Sequence, residues 1–302
     1  EGAYPEETLT VVQAMRMIFG SDNIICPVEK GFDDAAHFDL DFNSDSSGAD
    51  AIVLCLGENA YAESPGVIDD LRLPPEQIDL ALRAIQTGKP VILLLLEGRG
   101  RLVSPFIDDV DAVLLALLPG SQGALAIART LRGLSNPSGV LPFTYQRHSG
   151  DLIPYDHRFT SKVTQGPPGV FTDKGFRPQW LFGHGLTYSN LKLEILQASS
   201  PESKLGEAIE LSYQISNPST RDAVKTLDVF VGDDFATSLA PRKRVLVAFD
   251  RVKVPANDTV KGSIIIPSDA FGFVDKEGKI NFEAGTFTVE LSGEMVTLSL
   301  SN

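Results

Sequence analysis

The sequence predicts two fold types in one chain, a parallel-sheet α/β sandwich followed by a β-sandwich, and three observations carry that reading. Apolar runs of strand length at 51–56, 91–96 and 113–118 show no polar alternation, the pattern of strands buried on both sheet faces. Stretches of helical period follow these runs, so strand and helix alternate as they do around a parallel sheet covered on both sides. Past Leu191 the period changes to two, with Ile209, Leu211, Tyr213 and Ile215 separated by polar residues and Leu227, Val229 and Val231 doing the same. A chain of 302 residues with 43% hydrophobic content can bury two cores of this kind.

Taken in order, residues 6–19 place Val11, Val12, Met15 and Ile18 on one stripe, with acidic residues in the first turn and Gly20 just past the end, which predicts the first helix. Residues 23–26 read as a short strand, and 27–50 are acidic and weakly patterned, with Ala35, Ala36 and Phe38 in one helical turn. After the strand at 51–56, residues 57–74 form a loop rich in carboxylates. Pro75 then suits a first helical position, Ile78, Ala81, Leu82 and Ile85 make a buried face, and Gly88 stops the helix. A third helix is expected at 124–131, closed by Gly133.

The periodicity stops from 134 to 188, where Pro137, Pro142, Pro154, Pro167, Pro168 and Pro178 predict an extended connector lying on the α/β domain. Strand runs at 244–254, 259–266, 284–292 and 295–300 bring the tail to about seven short antiparallel strands, a β-sandwich of immunoglobulin or fibronectin type III kind. The expected divisions are 1–135 for the α/β domain, 136–190 for the connector and 191–302 for the sandwich.

A formal net charge of −14 and a pI near 4.7 argue against nucleic acid or an anionic membrane surface as partner, because phosphates call for clustered Lys and Arg. A neutral partner such as a sugar fits better. Cys26 and Cys55 both sit in apolar runs and read as two buried free thiols, the alternative being a disulfide. His37, His148, His157 and His184 have no metal-ligand spacing, and neither a Walker-A nor a dinucleotide fingerprint is present, so no metal and no cofactor is expected. Ser64 and Ser121 lie in no nucleophile elbow. No apolar run is long enough to span a membrane, and EGAYPEETLT has neither an initiator Met nor a signal-peptide pattern, as expected of a piece of a longer polypeptide.

The loop at 57–74 is the candidate for chemistry. It carries Glu58, Glu63, Asp69 and Asp70 with Tyr61, and it leaves the carboxyl end of a buried strand, where open α/β sheets bind their ligands. The loops at 97–104 and 119–122 leave strand ends that point the same way. This gathers Glu58, Glu63, Arg99 and the Ser121 region near one edge. Arg99 either pairs with a loop carboxylate or lies as a surface arginine at that edge.

The series GENAYAESPG, DDLRLP, KPVILLLLEGR, LLPGSQG, NPSGVLPFTY and FGHGLTYS, in this order between residues 57 and 189, resembles the C-terminal half of a glycoside hydrolase family 3 enzyme of the β-glucosidase type. The resemblance implies release of terminal β-linked glucose from β-glucosides or oligosaccharides by a retaining mechanism. It implies Glu63, in Tyr61-Ala62-Glu63, as general acid/base, Glu58 as the runner-up, and Tyr61 and Arg99 as substrate-binding or supporting residues. The family's nucleophile is an Asp on an N-terminal barrel that this chain does not contain, so the barrel is an expected partner and the chain alone is expected to be inactive. The resemblance also implies a periplasmic or secreted protein. The alternative reading is a non-catalytic carbohydrate-binding or structural module. The chain departs from the pattern at Val67, where many relatives carry Asp, and at Gly100, where Pro is usual.

Overall fold

The computed structural model describes residues 8–27, 46–59, 61, 66–151, 155–156, 178–198, 202–233, 237, 239 and 244–301. The chain divides into two compact units, Glu1–Ser135 with Gln146–Asp151, and Asn136–Tyr145 with Leu152–Asn302. The helical turn expected at Ala35 to Phe38 and much of the expected connector fall outside the described residues.

The first unit is built on three parallel strands in the order β1 (Ile52–Gly57), β2 (Val91–Leu96), β3 (Ala112–Leu115). Helices α1 (Val11–Phe19), α2 (Pro75–Gln86) and α3 (Gly123–Leu131) complete it. A parallel pair needs a crossover, and α2 supplies the one between β1 and β2. Central β2 is the most enclosed strand, with Leu93, Leu94 and Leu95 at 0% exposure, as its all-aliphatic sequence requires. Helices α1 and α3 pack through small residues, Ala14 against Ala124 and Ala128, with Val11, Met15 and Ile18 around them.

Four local expectations need correction. Helix α1 begins at Val11 and has no acidic residue in its first turn. A capping box closes it instead: Thr10 Oγ1 accepts from Gln13 N at 3.2 Å and Gln13 Oε1 accepts from Thr10 N at 2.8 Å. The strand expected at 23–26 is absent, because Asn23 closes a 3-10 turn, Ser21–Asn23, and its side chain donates to the Phe19 carbonyl at 2.8 Å. The buried face of α2 is Gln77, Leu80, Ala81 and Ala84, whereas Leu82 is exposed. Gln77 is drawn into that face by the hydrogen bonds described below. Strand β3 stops at Leu115 and is only half-buried, since it ends the described strand order and has a neighbour on one side alone.

The second unit is a two-sheet sandwich. One sheet runs β5 (Glu202–Lys204), β13 (Glu294–Ser301), β12 (Gly285–Leu291), β7 (Ala223–Asp233), β8 (Val245–Val254). The other runs β4 (Lys192–Ala198), β6 (Ile209–Asn217), β9 (Asp258–Ile266). A two-stranded ribbon, β10 (Gly272–Val274) with β11 (Ile280–Phe282), stands apart from both sheets. Alternation works as read: Ile209, Leu211 and Ile215 on β6 meet Leu227 and Val229 on β7 and Val289 and Leu291 on β12, all at 0% exposure. The expectation of antiparallel pairing holds except at β5, which pairs with β13 in parallel. A bulge at Val229/Phe230 bends β7 so that consecutive residues are buried.

The Asn-Pro-Ser-Gly and Phe-Gly-His-Gly stretches belong to this unit. Asn136 Oδ1 accepts from Tyr188 N at 2.9 Å and from Thr187 Oγ1 at 2.7 Å. Buried Tyr145 meets Trp180 edge-on at 4.9 Å between ring centres, and His184 stacks on the same tryptophan.

Candidate active site

The site grows from the end of β1. Gly57 pairs with Leu96 of β2 so closely that a Cβ at 57 would stand 1.9 Å from the Leu96 carbonyl oxygen, so only glycine fits. Its backbone is clipped by Gln77 of α2: Oε1 accepts from Gly57 N at 3.0 Å and Nε2 donates to Gly57 O at 3.1 Å. Both groups lie where no strand partner serves them, so a buried amide, donor and acceptor at once, is the side chain that fits.

Glu58 follows, donating its backbone N–H to Leu96 O at 2.9 Å and turning its carboxylate toward the loop after β2. The carboxylate is 7% exposed. Oε1 meets Arg99 Nε at 3.1 Å and Arg101 Nη1 at 3.2 Å, and Oε2 accepts from Gly98 N at 3.1 Å. A carboxylate taken from water is tolerable only when its oxygens are occupied in this way. Arg101 donates onward to the Arg72 carbonyl, and Leu102 N donates to Leu71 O at 2.9 Å, so the end of the β1 loop runs beside the β2 loop. Leu73 and Leu102 close this layer at 2% and 6% exposure.

Arg99 donates to the Gly66 carbonyl, and its guanidinium carbon stands 4.1 Å from the centre of the Tyr61 ring. Tyr61 in turn covers Gly98, where a Cβ would fall 2.0 Å from the tyrosine oxygen. The third loop reaches the same edge through Leu118, whose Cδ1 would lie 3.2 Å from that Cβ. Ser121 is exposed.

Of the residues expected at the site, the structure brings Glu58, Tyr61 and Arg99 into one cluster, and Arg99 takes the paired alternative. Glu63 lies outside the described residues. Val67 is 81% exposed. Asp70 is engaged by Arg72 at 2.6 Å, whose hydrogen bonds hold its carboxyl below the usual carboxylate range. Sequence reading missed Gln77, Gly98 and Arg101. The second arginine of Gly-Arg-Gly-Arg and a glutamine on an otherwise apolar helix face were the available signals. Cys26 and Cys55 form no disulfide, and each is partly rather than fully buried. Among the described residues no group of three His, Cys, Asp or Glu could hold a metal, and no helix is long and apolar enough to cross a membrane.

The arrangement is that of a braced strand end whose first carboxylate is held by two arginines and a backbone amide. Residues 3–188 match the glycosyl hydrolase family 3 C-terminal domain, and 225–294 match a fibronectin type III-like domain. A lysosomal beta glucosidase of Dictyostelium discoideum is 31% identical over 84% of the chain, which covers 31% of that protein. A periplasmic beta-glucosidase of Salmonella typhimurium is 28% identical over 80% of the chain, which covers 32% of it. The crystal structure of a Listeria innocua beta-glucosidase in complex with glucose superposes with a TM-score of 0.78 at 26% identity, covering 91% of this chain and 39% of that one. The chain thus spans about a third of the length of these two curated relatives.

Proposed function

The chain belongs to glycoside hydrolase family 3, and on that premise we propose that it supplies the general acid/base of a retaining β-glucosidase whose Asp nucleophile comes from an N-terminal barrel. The observation that carries the reading is the family match across residues 3–188, which includes the carboxylate loop at the end of β1. Glu63 protonates the glycosidic oxygen as the barrel's carboxylate attacks the anomeric carbon. The glucosyl–enzyme ester is then hydrolysed by water that Glu63, now ionised, deprotonates. Glu58 is an anchor in this scheme, because its carboxylate is committed to Arg99, Arg101 and the Gly98 amide. Tyr61 and Arg99 support the loop. The relatives' names, lysosomal and periplasmic, support a compartment outside the cytoplasm.

The test joins this chain to its barrel, in one polypeptide or as two chains, and assays aryl β-glucosides and β-xylosides, since β-xylosidases also stand among the relatives. Glucoside hydrolysis by the assembly and none by the isolated chain is expected, because one carboxylate cannot serve both roles of a double displacement. Turnover by the isolated chain points to a second carboxylate within it. Exposed Val67, in place of an Asp, favours one other reading, a non-catalytic carbohydrate-binding module. A folded, inactive assembly that binds glucosides would establish that instead.

A further inference from the structure

Arg99 makes three attachments with one planar group. Its Nε meets Glu58 Oε1 at 3.1 Å, its Nη1 donates to the Gly66 carbonyl, and its flat face lies 4.1 Å from the Tyr61 ring centre. A guanidinium is rigid, forks its donors in fixed directions and stacks on aromatic rings, so these attachments hold three points of the loop in one geometry. Surrounding space is closed as well. Tyr61 fills the volume a side chain at 98 would need, and a Cβ on Gly66 would meet Tyr61 Cδ2 at 2.9 Å and Arg99 Nη2 at 3.2 Å. In sequence, Glu63 lies between Tyr61 and Gly66, the two residues that this guanidinium clamps.

Arg101 has a different duty. Its side chain is 10% exposed against 27% for Arg99, and it ties Glu58 to the Arg72 carbonyl, away from the Tyr61–Gly66 stretch. Without Arg99, Glu58 therefore keeps Arg101 and the Gly98 amide, and the anchor of the loop stands.

We propose that Arg99 is a positioning residue of the reaction: bracing Tyr61 and Gly66 against Glu58, it fixes the two ends of the stretch that carries Glu63 in sequence, without itself touching substrate. The inference rests on Glu63 being that acid/base. A group misplaced by about 1 Å costs on the order of a hundredfold in rate, and protonation matters most when the leaving group is poor.

The experiment uses the longest natural polypeptide that contains this chain, with Arg99→Ala, Arg99→Lys, Gly98→Ala and Glu63→Gln compared on a β-glucoside with a poor leaving group and on an activated aryl β-glucoside. Arg99→Ala is expected to lower kcat about 100-fold on the first and less than about tenfold on the second, with KM within about threefold on both. Added methylguanidinium is expected to return at least about tenfold of the lost rate to Arg99→Ala and nothing to Glu63→Gln, since only the former has a guanidinium-shaped vacancy. Gly98→Ala, which keeps the arginine but displaces Tyr61, is expected to show the same bias more weakly. Arg99→Lys keeps charge without the fork, and its leaving-group ratio decides the matter should Arg99→Ala fail to fold. Equal losses on both substrates, or no loss, overturn the positioning role while a biased Glu63→Gln keeps the acid/base assignment. An unbiased Glu63→Gln removes that assignment, and the role of Arg99 with it.

Discussion

The end of β1 and the core of the β-sandwich are made of opposite materials. In the core of the sandwich most buried residues are apolar and come from strands of alternating pattern, as Ile209, Leu211, Tyr213 and Ile215 do on β6. At the end of β1 they are polar and distant in sequence: Glu58 takes hydrogen bonds from Gly98 and Arg101, 40 and 43 positions away, and Gly57 is clipped by Gln77, 20 positions away. Burying alternate apolar residues stabilises a fold without directing any one group. A polar cluster contributes less net stability per contact but fixes direction. Substitutions in the sandwich should therefore reduce stability and spare chemistry, whereas substitutions near β1 should change chemistry.

The largest contrast is expected from Glu63→Gln in the barrel-containing enzyme. Loss of the proposed proton donor should slow a β-glucoside with a poor leaving group by about 10² to 10⁴, and an activated aryl glucoside far less in its glycosylation step. Azide should then raise the rate on the activated substrate, because an anionic nucleophile needs no general base at the second step. Glu58→Gln should slow both substrates alike and ignore azide. Rescue in Glu58→Gln and not in Glu63→Gln would move the acid/base role to Glu58.

Leu227→Ala makes the next largest change, now in stability. Leu227 is fully enclosed on β7, and removing its side chain should cost roughly 3 to 5 kcal/mol in a urea titration of the sandwich unit. Ser263→Ala, at an exposed position of β9, should stay within about 0.5 kcal/mol. With the enzyme still folded, Leu227→Ala should leave the leaving-group ratio of the preceding experiment unchanged. A shifted ratio would break the separation between the two regions.

Gln77→Leu probes the clip. It keeps the volume of the side chain but leaves Gly57 N–H and C=O without their partner inside the protein, a cost of about 2 kcal/mol, smaller than that of Leu227→Ala. Because Gly57 precedes Glu58, kcat should fall as well, unlike in the sandwich variant. Thermal unfolding and kcat measured on the same preparation separate the two effects, and a Gln77→Leu protein with parental kcat would show that the clip only stabilises.

Strand positions were legible because apolar runs and alternation are local properties of a chain, and β1, β2, β6 and β7 lie where those patterns put them. Interior glycines and prolines marked helix ends equally well: Gly88 and Gly133 adopt the positive φ that closes α2 and α3, and Pro75 opens α2. Arg99 was readable as a partner for a loop carboxylate, since both leave parallel strands at one end. Gln77 was not, because a glutamine on a helix normally faces water, and only the close approach of Gly57 to Leu96 creates the need it meets. Arg101 was hidden for a similar reason: two arginines two residues apart look alike until the fold buries one of them more deeply. The role proposed for Glu63 comes from the motif it sits in, and no periodicity could have singled it out among the acidic residues.

The smallest effect concerns a residue that shares β1 with the site yet takes no part in it. Burial, and then the charge of Cys26 nearby, pushes the Cys55 thiol from its ordinary 9.0 up to about 12. Below pH 9 the thiol is protonated in both folded and unfolded chains, so it contributes no pH dependence there. Between about 9 and 12 the unfolded chain loses the proton while the folded one keeps it, and stability must fall as pH rises through that window. Urea midpoints of the first unit should thus decline more between about pH 8 and pH 10.5 in the parent than in Cys55→Ala, with no difference in slope below pH 8. Folded protein should also resist alkylation at Cys55 near pH 8, because the thiolate is the reactive species. Identical declines in the two proteins would mean that the thiol meets water more freely than its place on β1 implies, and that this face of the strand opens more readily than the enclosed β2 beside it.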